Sequence, residues 1–163
     1  MGDSIEYMIK KKPSVVMQFL KVLCIMLTVA FFLCSLYTVV GLILAILFGV
    51  LAYFAKMNGE LEYEYLYVEK TLDIDKIMAQ SKRKHVATYE LERIEILAPL
   101  NSYHLDNYKN RTVKVLDYSS GVEEKPEKRY CFFYEGNEKI IFEPNEEMIR
   151  AFKNAAPRKV FTD

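Results

Sequence analysis

Two hydrophobic periodicities divide this chain. Residues 22–55 carry no acidic or basic side chain, and the run is bounded by Lys21 and Lys56. Drawn out as one helix it would measure about 51 Å against a hydrocarbon core of about 30 Å, so a single span leaves apolar length uncovered. Two shorter helices fit better. With the apolar residues after Pro13 they read as residues 15–33 and 39–55, joined by a tight turn at Cys34-Ser35-Leu36-Tyr37. Lys21 then lies inside the first helix, where its long stem can carry the ammonium back to the headgroup level.

After Asn58-Gly59 the period becomes two. Leu61, Tyr63, Tyr65 and Tyr67 alternate with Glu60, Glu62 and Glu64, the pattern of a half-buried strand with the acids on its wet face. Glu69-Lys70 reads as a turn, and Leu72 and Ile74 alternate with Thr71, Asp73 and Asp75 in a second strand. Residues 80–84 form a polar, basic bend before a strand at 85–89. A helical turn at 91–94 and a brief strand at 95–97 follow, stopped by Pro99. Residues 101–110 and 119–128 read as loops on either side of an alternating strand at 112–118. Arg129 to Tyr134 and Lys139 to Phe142 flank Gly136-Asn137 as a hairpin. Both faces of Tyr130-Cys131-Phe132-Phe133-Tyr134 are apolar or aromatic, so periodicity does not say which face is buried.

The chain ends in a helix. Asn145 is placed to cap it, Glu146 and Glu147 suit its positive first turn, and Met148, Ile149 and Phe152 make its apolar stripe. The expected core is Leu61, Tyr63, Tyr65, Leu72, Ile74, Val113, Val115, Phe132, Ile141, Met148, Ile149 and Phe152.

Antiparallel strands followed by one amphipathic helix is an order that resembles the bacterial pleckstrin-homology-like (PH-like) domains. In those, the final helix plugs one opening of a strongly bent sheet or partial barrel. On LEYEYLYVEKTLDIDKI, SKRKHV, KIIFEPNEEM and the terminal APRKVFTD, nearly the whole chain is similar to a family of small bacterial membrane proteins that carry a two-helix hairpin ahead of such a domain. The resemblance implies an α+β fold: an N-terminal transmembrane helical hairpin, then a PH-like antiparallel β-sheet or partial barrel of six or seven strands closed by the C-terminal helix. The segments are then residues 1–14, a cytoplasmic N-terminal segment; 15–56, the hairpin; and 57–163, a cytoplasmic PH-like domain. No activity comes with the resemblance.

Charge orients the hairpin. The formal net charge is zero, but Lys10, Lys11, Lys12 and Lys21 precede the proposed turn, Lys56 follows it, and the turn has no charge. The positive-inside rule then puts both ends in the cytoplasm, in a multi-pass protein of the cell membrane, with Tyr37 and Tyr53 suited to the interfacial belts. A cleaved signal peptide is the competing reading of Lys10-Lys11-Lys12 before an apolar stretch. It fails on length and on the bulky Phe31-Phe32-Leu33 before Cys34, where a peptidase would need small residues. Three cysteines without metal-type spacing or an even framework favour a reducing compartment. No domain is strongly basic, which argues against nucleic acid as a partner.

Two polar or small-residue features invite a role. Gly41, Ala45 and Gly49 recur every fourth residue as one smooth stripe, suited to close helix packing against the first helix or, next, against a second copy. Gly and Ala are also common in membrane helices. Lys82, Arg83 and Lys84 would sit at a hairpin tip where they could touch anionic lipid headgroups, although a basic tip is also an ordinary solvated turn. Phosphoinositide-binding PH domains carry basic residues around the loop between their first two strands. Here that loop reads as Val68-Glu69-Lys70-Thr71, with one acid and one base.

Chemistry is sparse. His85 and His104 lack metal-ligand spacing, Asp73 and Asp75 share a strand face that solvation explains, and no phosphate loop, nucleophile elbow or zinc-type pair occurs. The expectation is a membrane-anchored, non-enzymatic interaction or scaffold module presenting a cytoplasmic PH-like domain to a protein partner, with no cofactor. The alternative is a sensor of anionic headgroups acting through Lys82, Arg83 and Lys84.

Overall fold

The structure is a computed structural model and describes residues 4–122 and 128–162. It forms two compact units. One gathers the described residues of 1–11, 62–77 and 83–163, and the other holds residues 12–61 and 78–82.

The second unit is a helical hairpin. Helix α1 spans Val15–Cys34 and α2 spans Val39–Gly59, four residues beyond the expected end of α2. Both are long and apolar enough to cross a membrane, each with a mean hydropathy of 2.3, and most of their side chains lie on the hairpin's outside. Phe19, Val22, Met26, Phe32, Ile43 and Ile46 are exposed there, an apolar surface far larger than water-soluble folds leave bare. Thr38 caps α2 by accepting a hydrogen bond from the Gly41 N–H, and the Phe31 and Phe48 rings stack at 5.4 Å between the helices.

The small-residue stripe faces α1. Gly41 and Ala45 are buried, and a Cβ at position 41 would lie 2.7 Å from the Ser35 nitrogen and 2.8 Å from the Cys34 carbonyl carbon. Those neighbours are backbone, which cannot swing aside. At Gly49 the nearest atom to such a Cβ is Thr28 Cγ2 at 3.8 Å, an ordinary contact. Gly41 is thus the position where the chain needs a glycine, because the turn doubles back on it.

The other unit is β-rich. Strand β1 (Ile5–Lys10) precedes the hairpin; after it come β2 (Leu61–Val68), β3 (Thr71–Met78), β4 (Lys82–Glu90), β5 (Ile94–Pro99), β6 (Lys114–Asp117), β7 (Tyr130–Tyr134), β8 (Glu138–Phe142) and helix α3 (Glu146–Ala155). Two four-stranded sheets result, ordered β1-β2-β3-β4 and β5-β7-β8-β6. The fold is α+β as expected, and residues 57–163 hold seven strands among the described residues, within the expected six or seven. The sheets do not close into a barrel. Two pairings differ from the sequence reading. β6 pairs with β8 in parallel. And β1, inside the segment the sequence sets apart as 1–14, pairs antiparallel with β2 from Ile5↔Tyr67 to Lys10↔Glu62, so the sheet crosses the 14/15 and 56/57 boundaries. The six residues of β1 do not alternate cleanly, since Tyr7 and Met8 are both exposed, and periodicity therefore missed it.

Turn chemistry explains a second miss. The β3–β4 connection is Ala79-Gln80, both residues at positive φ (47° and 56°), the backbone of a two-residue hairpin turn without the glycine or asparagine that usually announces one. The expected bend at 80–84 is therefore shorter, and Lys82, Arg83 and Lys84 belong to strand β4. The β7–β8 turn likewise sits at Glu135-Gly136, one residue early. Loop 101–110 contains a short 3-10 helix, Tyr103–Tyr108, and the loop read at 119–128 lies partly outside the described residues.

The core lies between the sheets under α3. Tyr63, Tyr65, Leu72, Ile74, Phe132, Met148, Ile149 and Phe152 are buried as expected, while Leu61, Val113 and Ile141 are half-buried. Val115 is 57 % exposed, because β6 turns Leu116 towards the core and Val115 away from it. Aromatic rings knit this core edge to face: Tyr67 with Phe152 at 4.6 Å, Tyr89 with Phe132 at 5.1 Å, Phe132 with Phe142 at 5.4 Å. A second cluster on the other face of the β5-β7-β8-β6 sheet holds Ile96, Ala98, Leu105, Cys131 and Phe133. Both faces of β7 are thus buried, which is why its sequence shows no wet side. A register shift between Ile94 and Ile96 sends these two side chains into different clusters.

Asn145 Oδ1 accepts from the Met148 N–H at 2.8 Å and caps α3 as expected. Ten residues are too few for a helix to persist alone in water, so its stability comes from seating Met148, Ile149 and Phe152.

Two outcomes follow. In micelles, Gly41→Ala should lower the stability of the hairpin by about 1–3 kcal/mol through forced backbone movement, and Gly49→Ala by under about 0.5 kcal/mol, measured by thermal unfolding of the full chain. Because Lys10 and Glu62 are paired, replacing residues 11–61 by Asn-Gly should give a soluble β unit. In it Phe152→Ala should cost about 3–5 kcal/mol in urea melts, and a loss under about 1 kcal/mol would remove α3 from the core.

Candidate functional site

Three of the four sheet edges are guarded. β4 carries Lys82, Arg83, Lys84 and His85 in an exposed row, charge that discourages pairing with another strand. β5 is covered by the C-terminal segment, the Leu97 N–H donating to the Lys159 carbonyl and the Phe161 N–H to the Leu97 carbonyl, both at 2.8 Å. β6 is only four residues long. The remaining edge is β1. Among the described residues it pairs with β2 alone, and Tyr7 on it lines a groove of about 580 Å³. Tyr130, Pro144 and Ile149 add apolar wall from β7 and the start of α3, and Glu146 and Arg150 set opposite charges on the rim. The Arg150 guanidinium and Glu146 carboxylate pair at 3.2 Å, one turn apart on α3. An open strand edge beside an apolar groove can take up an extended peptide through backbone hydrogen bonds. Sequence reading missed this place, since its walls come from four separate stretches of the chain.

The acids of the first sheet are not a wet face. Glu62 and Glu64 are only 8 % and 7 % exposed. Lys10 pairs with Glu62 at 3.6 Å, and Arg83 reaches over β3 to pair with Glu64 while its Nε lies 3.9 Å from Asp75. Arg83 is therefore occupied within its own sheet. Asp75 also receives His85 Nδ1 at 2.8 Å; Thr88 Oγ1 donates to Asp73 at 2.5 Å and lies 3.1 Å from His85 Nε2. The order Asp75–His85–Thr88 follows a catalytic triad in outline. His85 is exposed, however, and the Thr88 hydroxyl donates its hydrogen bond to a second carboxylate, that of Asp73. The chain reads as a cross-strand polar network.

Three further groups are held by packing or burial. His104 stacks between Tyr103 at 4.0 Å and Phe161 at 3.8 Å, remote in sequence and partners from His85. Burial pushes the Cys131 thiol up to about 11, which keeps it protonated and unreactive at neutral pH. Burial also raises the Tyr65 phenol well above its usual range. Its neutral hydroxyl donates to the Tyr118 carbonyl at 2.6 Å and accepts from the Glu143 N–H at 3.3 Å, tying the two sheets together. No group of three or more His, Cys, Asp or Glu side chains suited to a metal ion occurs among the described residues.

In the hairpin unit, Lys21 Nζ lies 2.7 Å from Glu60 Oε1, so it meets an anion just past the end of α2. This ion pair holds the exposed Glu60 carboxyl below its ordinary range. The Ala79 N–H donates to the Glu60 carbonyl at 2.8 Å, which brings the β3–β4 turn and Lys82 into the same unit as the helix ends. Glu69-Lys70, read as the loop between the first two strands, joins the second and third, because β1 comes first and the hairpin fills the gap to β2.

Neither the curated proteins nor the solved structures contain a match to this chain. Residues 4–162 match the bacterial PH-like domain family (DUF6106), a span that includes β1 and both apolar helices, and the chain belongs to that family.

Proposed function

We propose that this protein is a membrane-anchored, non-enzymatic interaction module that presents its PH-like domain to a protein partner in the cytoplasm, seated on the β1 edge and the groove beside α3. The observation that carries this reading is the open edge itself. Among the described residues, β1 alone of the strands that end a sheet combines more than four residues with no row of like charge, no covering chain and a bordering apolar groove.

The β1–β2 pairing also supports the topology. A hairpin that crosses the bilayer twice returns the chain to the side it left, and the two strands flanking the hairpin are neighbours in one sheet. The lysines at 10, 11, 12, 21 and 56 favour the cytoplasm for that side.

A second reading, contact with anionic headgroups, is favoured by one observation. Lys82 shares a compact unit with the helix ends and with Lys12, Lys21 and Lys56. Of the three basic residues at 82–84, Arg83 is the least available for it, being paired with Glu64.

In a cysteine-free background, a membrane-impermeant label applied from outside should reach a cysteine placed at Tyr37 and not one at Asn137; the reverse pattern overturns the topology. Photo-crosslinking residues at Tyr7 and at Arg150 in native membranes should yield the same discrete protein adduct, with none from Thr88. Adducts of equal yield from all three positions would remove the groove as the seat.

A further inference from the structure

The hairpin carries a cleft between the start of α1 and the end of α2, about 450 Å³ in volume. Met17, Val22 and Ala55 make its floor; Gln18, Lys21 and Lys56 stand at its mouth. We infer that this cleft is a binding site for the headgroup of one anionic phospholipid, its phosphodiester held between the Lys21 and Lys56 ammonium groups and the Gln18 amide, with the glycerol and upper acyl carbons on the apolar floor.

Three features point to that ligand. The first is placement. Lys21 is the seventh residue of α1, about 9 Å along the helix from its start, deeper than a solvated flank requires. A cation drawn this far into an apolar helix needs an anion, and Glu60 supplies only one carboxylate, on one side. Lys56, in the last turn of α2, makes no ion pair within 4 Å among the described residues.

Charge is the second. Two ammonium groups and the Glu60 carboxylate leave the mouth with one net positive charge, which one phosphodiester neutralises. Lipids whose headgroup adds its own ammonium restore the surplus and fit less well. Beyond the mouth, Lys12 and Lys82 are the only other charged side chains of this unit, both cationic, so its field favours an anionic leaflet throughout. The third feature is shape. An apolar floor under a cationic rim, set between two membrane-capable helices at one end, matches the amphipathic boundary of a phospholipid where the headgroup meets the chains. Gly59 lines the cleft and keeps it open; a Cβ there already meets Met17 Cβ at 3.6 Å, so a larger side chain would fill the space.

The inference rests on the embedding of the hairpin in a bilayer and narrows the second reading above from diffuse headgroup contact to one lipid in one cleft. Extraction separates embedding from occupancy, and the Lys82 arm below separates the cleft from diffuse contact. Resistance to alkaline carbonate reports embedding whether or not the cleft is occupied. The full-length chain, purified in mild detergent, is titrated with phosphatidylglycerol and with phosphatidylcholine and read by native mass spectrometry. One phosphatidylglycerol should bind at least about tenfold more tightly than phosphatidylcholine, and Lys56→Gln should weaken it by about tenfold, the factor for losing a charge-assisted hydrogen bond. Gly59→Leu should weaken it similarly with no change of charge, provided helical circular dichroism is retained. Lys82→Gln should change it by less than about threefold. Equal affinity for the two lipids, or as large a loss from Lys82→Gln as from Lys56→Gln, would reduce the effect to diffuse attraction and overturn the site.

Discussion

The first sheet begins with a strand that precedes the hairpin in the chain, and its pairing across the hairpin is the constraint that links the two halves of the sequence. β1 and β2 are joined by fifty residues of which most are apolar, yet they pair register for register from Ile5↔Tyr67 to Lys10↔Glu62. A loop of that length costs only a slowly growing closure entropy in principle. Here the connection is itself a packed helix pair, inserted in the chain between two strands that are neighbours in one sheet. Two covalent crossings join domain and hairpin where a C-terminal tether would give one.

The rest of the domain follows from the aromatic content of the paired strands. Tyr63, Tyr65 and Tyr67 on β2 meet Phe132, Phe142 and Phe152 from the other sheet and α3. Large flat rings packed edge to face fill the space between two sheets that do not close on each other. Tyr65 adds a polar clamp at the same place, its hydroxyl satisfied on both sides by the backbone at Tyr118 and Glu143. Buried and neutral, it costs little to desolvate because neither of its hydrogen bonds is left unmade.

The polar residues that attract notice in the sequence are spent differently from how they read. Arg83 ties Glu64 to Asp75, and His85 and Thr88 join the two aspartates of β3. Cross-strand pairs of this kind stabilise a sheet face by tenths of a kcal/mol to about 1 kcal/mol each, and they leave few free groups for chemistry. The surfaces that remain available are of another sort: an open strand edge with a groove in one unit, and a cationic cleft on an apolar floor in the other.

Composition and period alone determined the two apolar helices, their turn at Cys34 to Tyr37, strands β2 and β3 with their turn at Glu69-Lys70, and the capped helix α3. Each is a local pattern long enough to state its own period, and Asn145 is a local cap that needs no distant partner. Val115 and Ile141 went astray for the opposite reason. Their faces depend on which strand lies alongside, and the parallel pairing of β6 with β8 is invisible to a reading of β6 by itself. Tertiary structure likewise decided that β1 belongs to the sheet and that both faces of β7 are buried. It also put Glu62 and Glu64 under Lys10 and Arg83, and it assembled the groove and the cleft from residues scattered along the chain. Alternation records burial averaged along a strand, whereas register, edges and cavities are set by contacts between segments far apart in sequence, and those contacts exist only once the chain has folded.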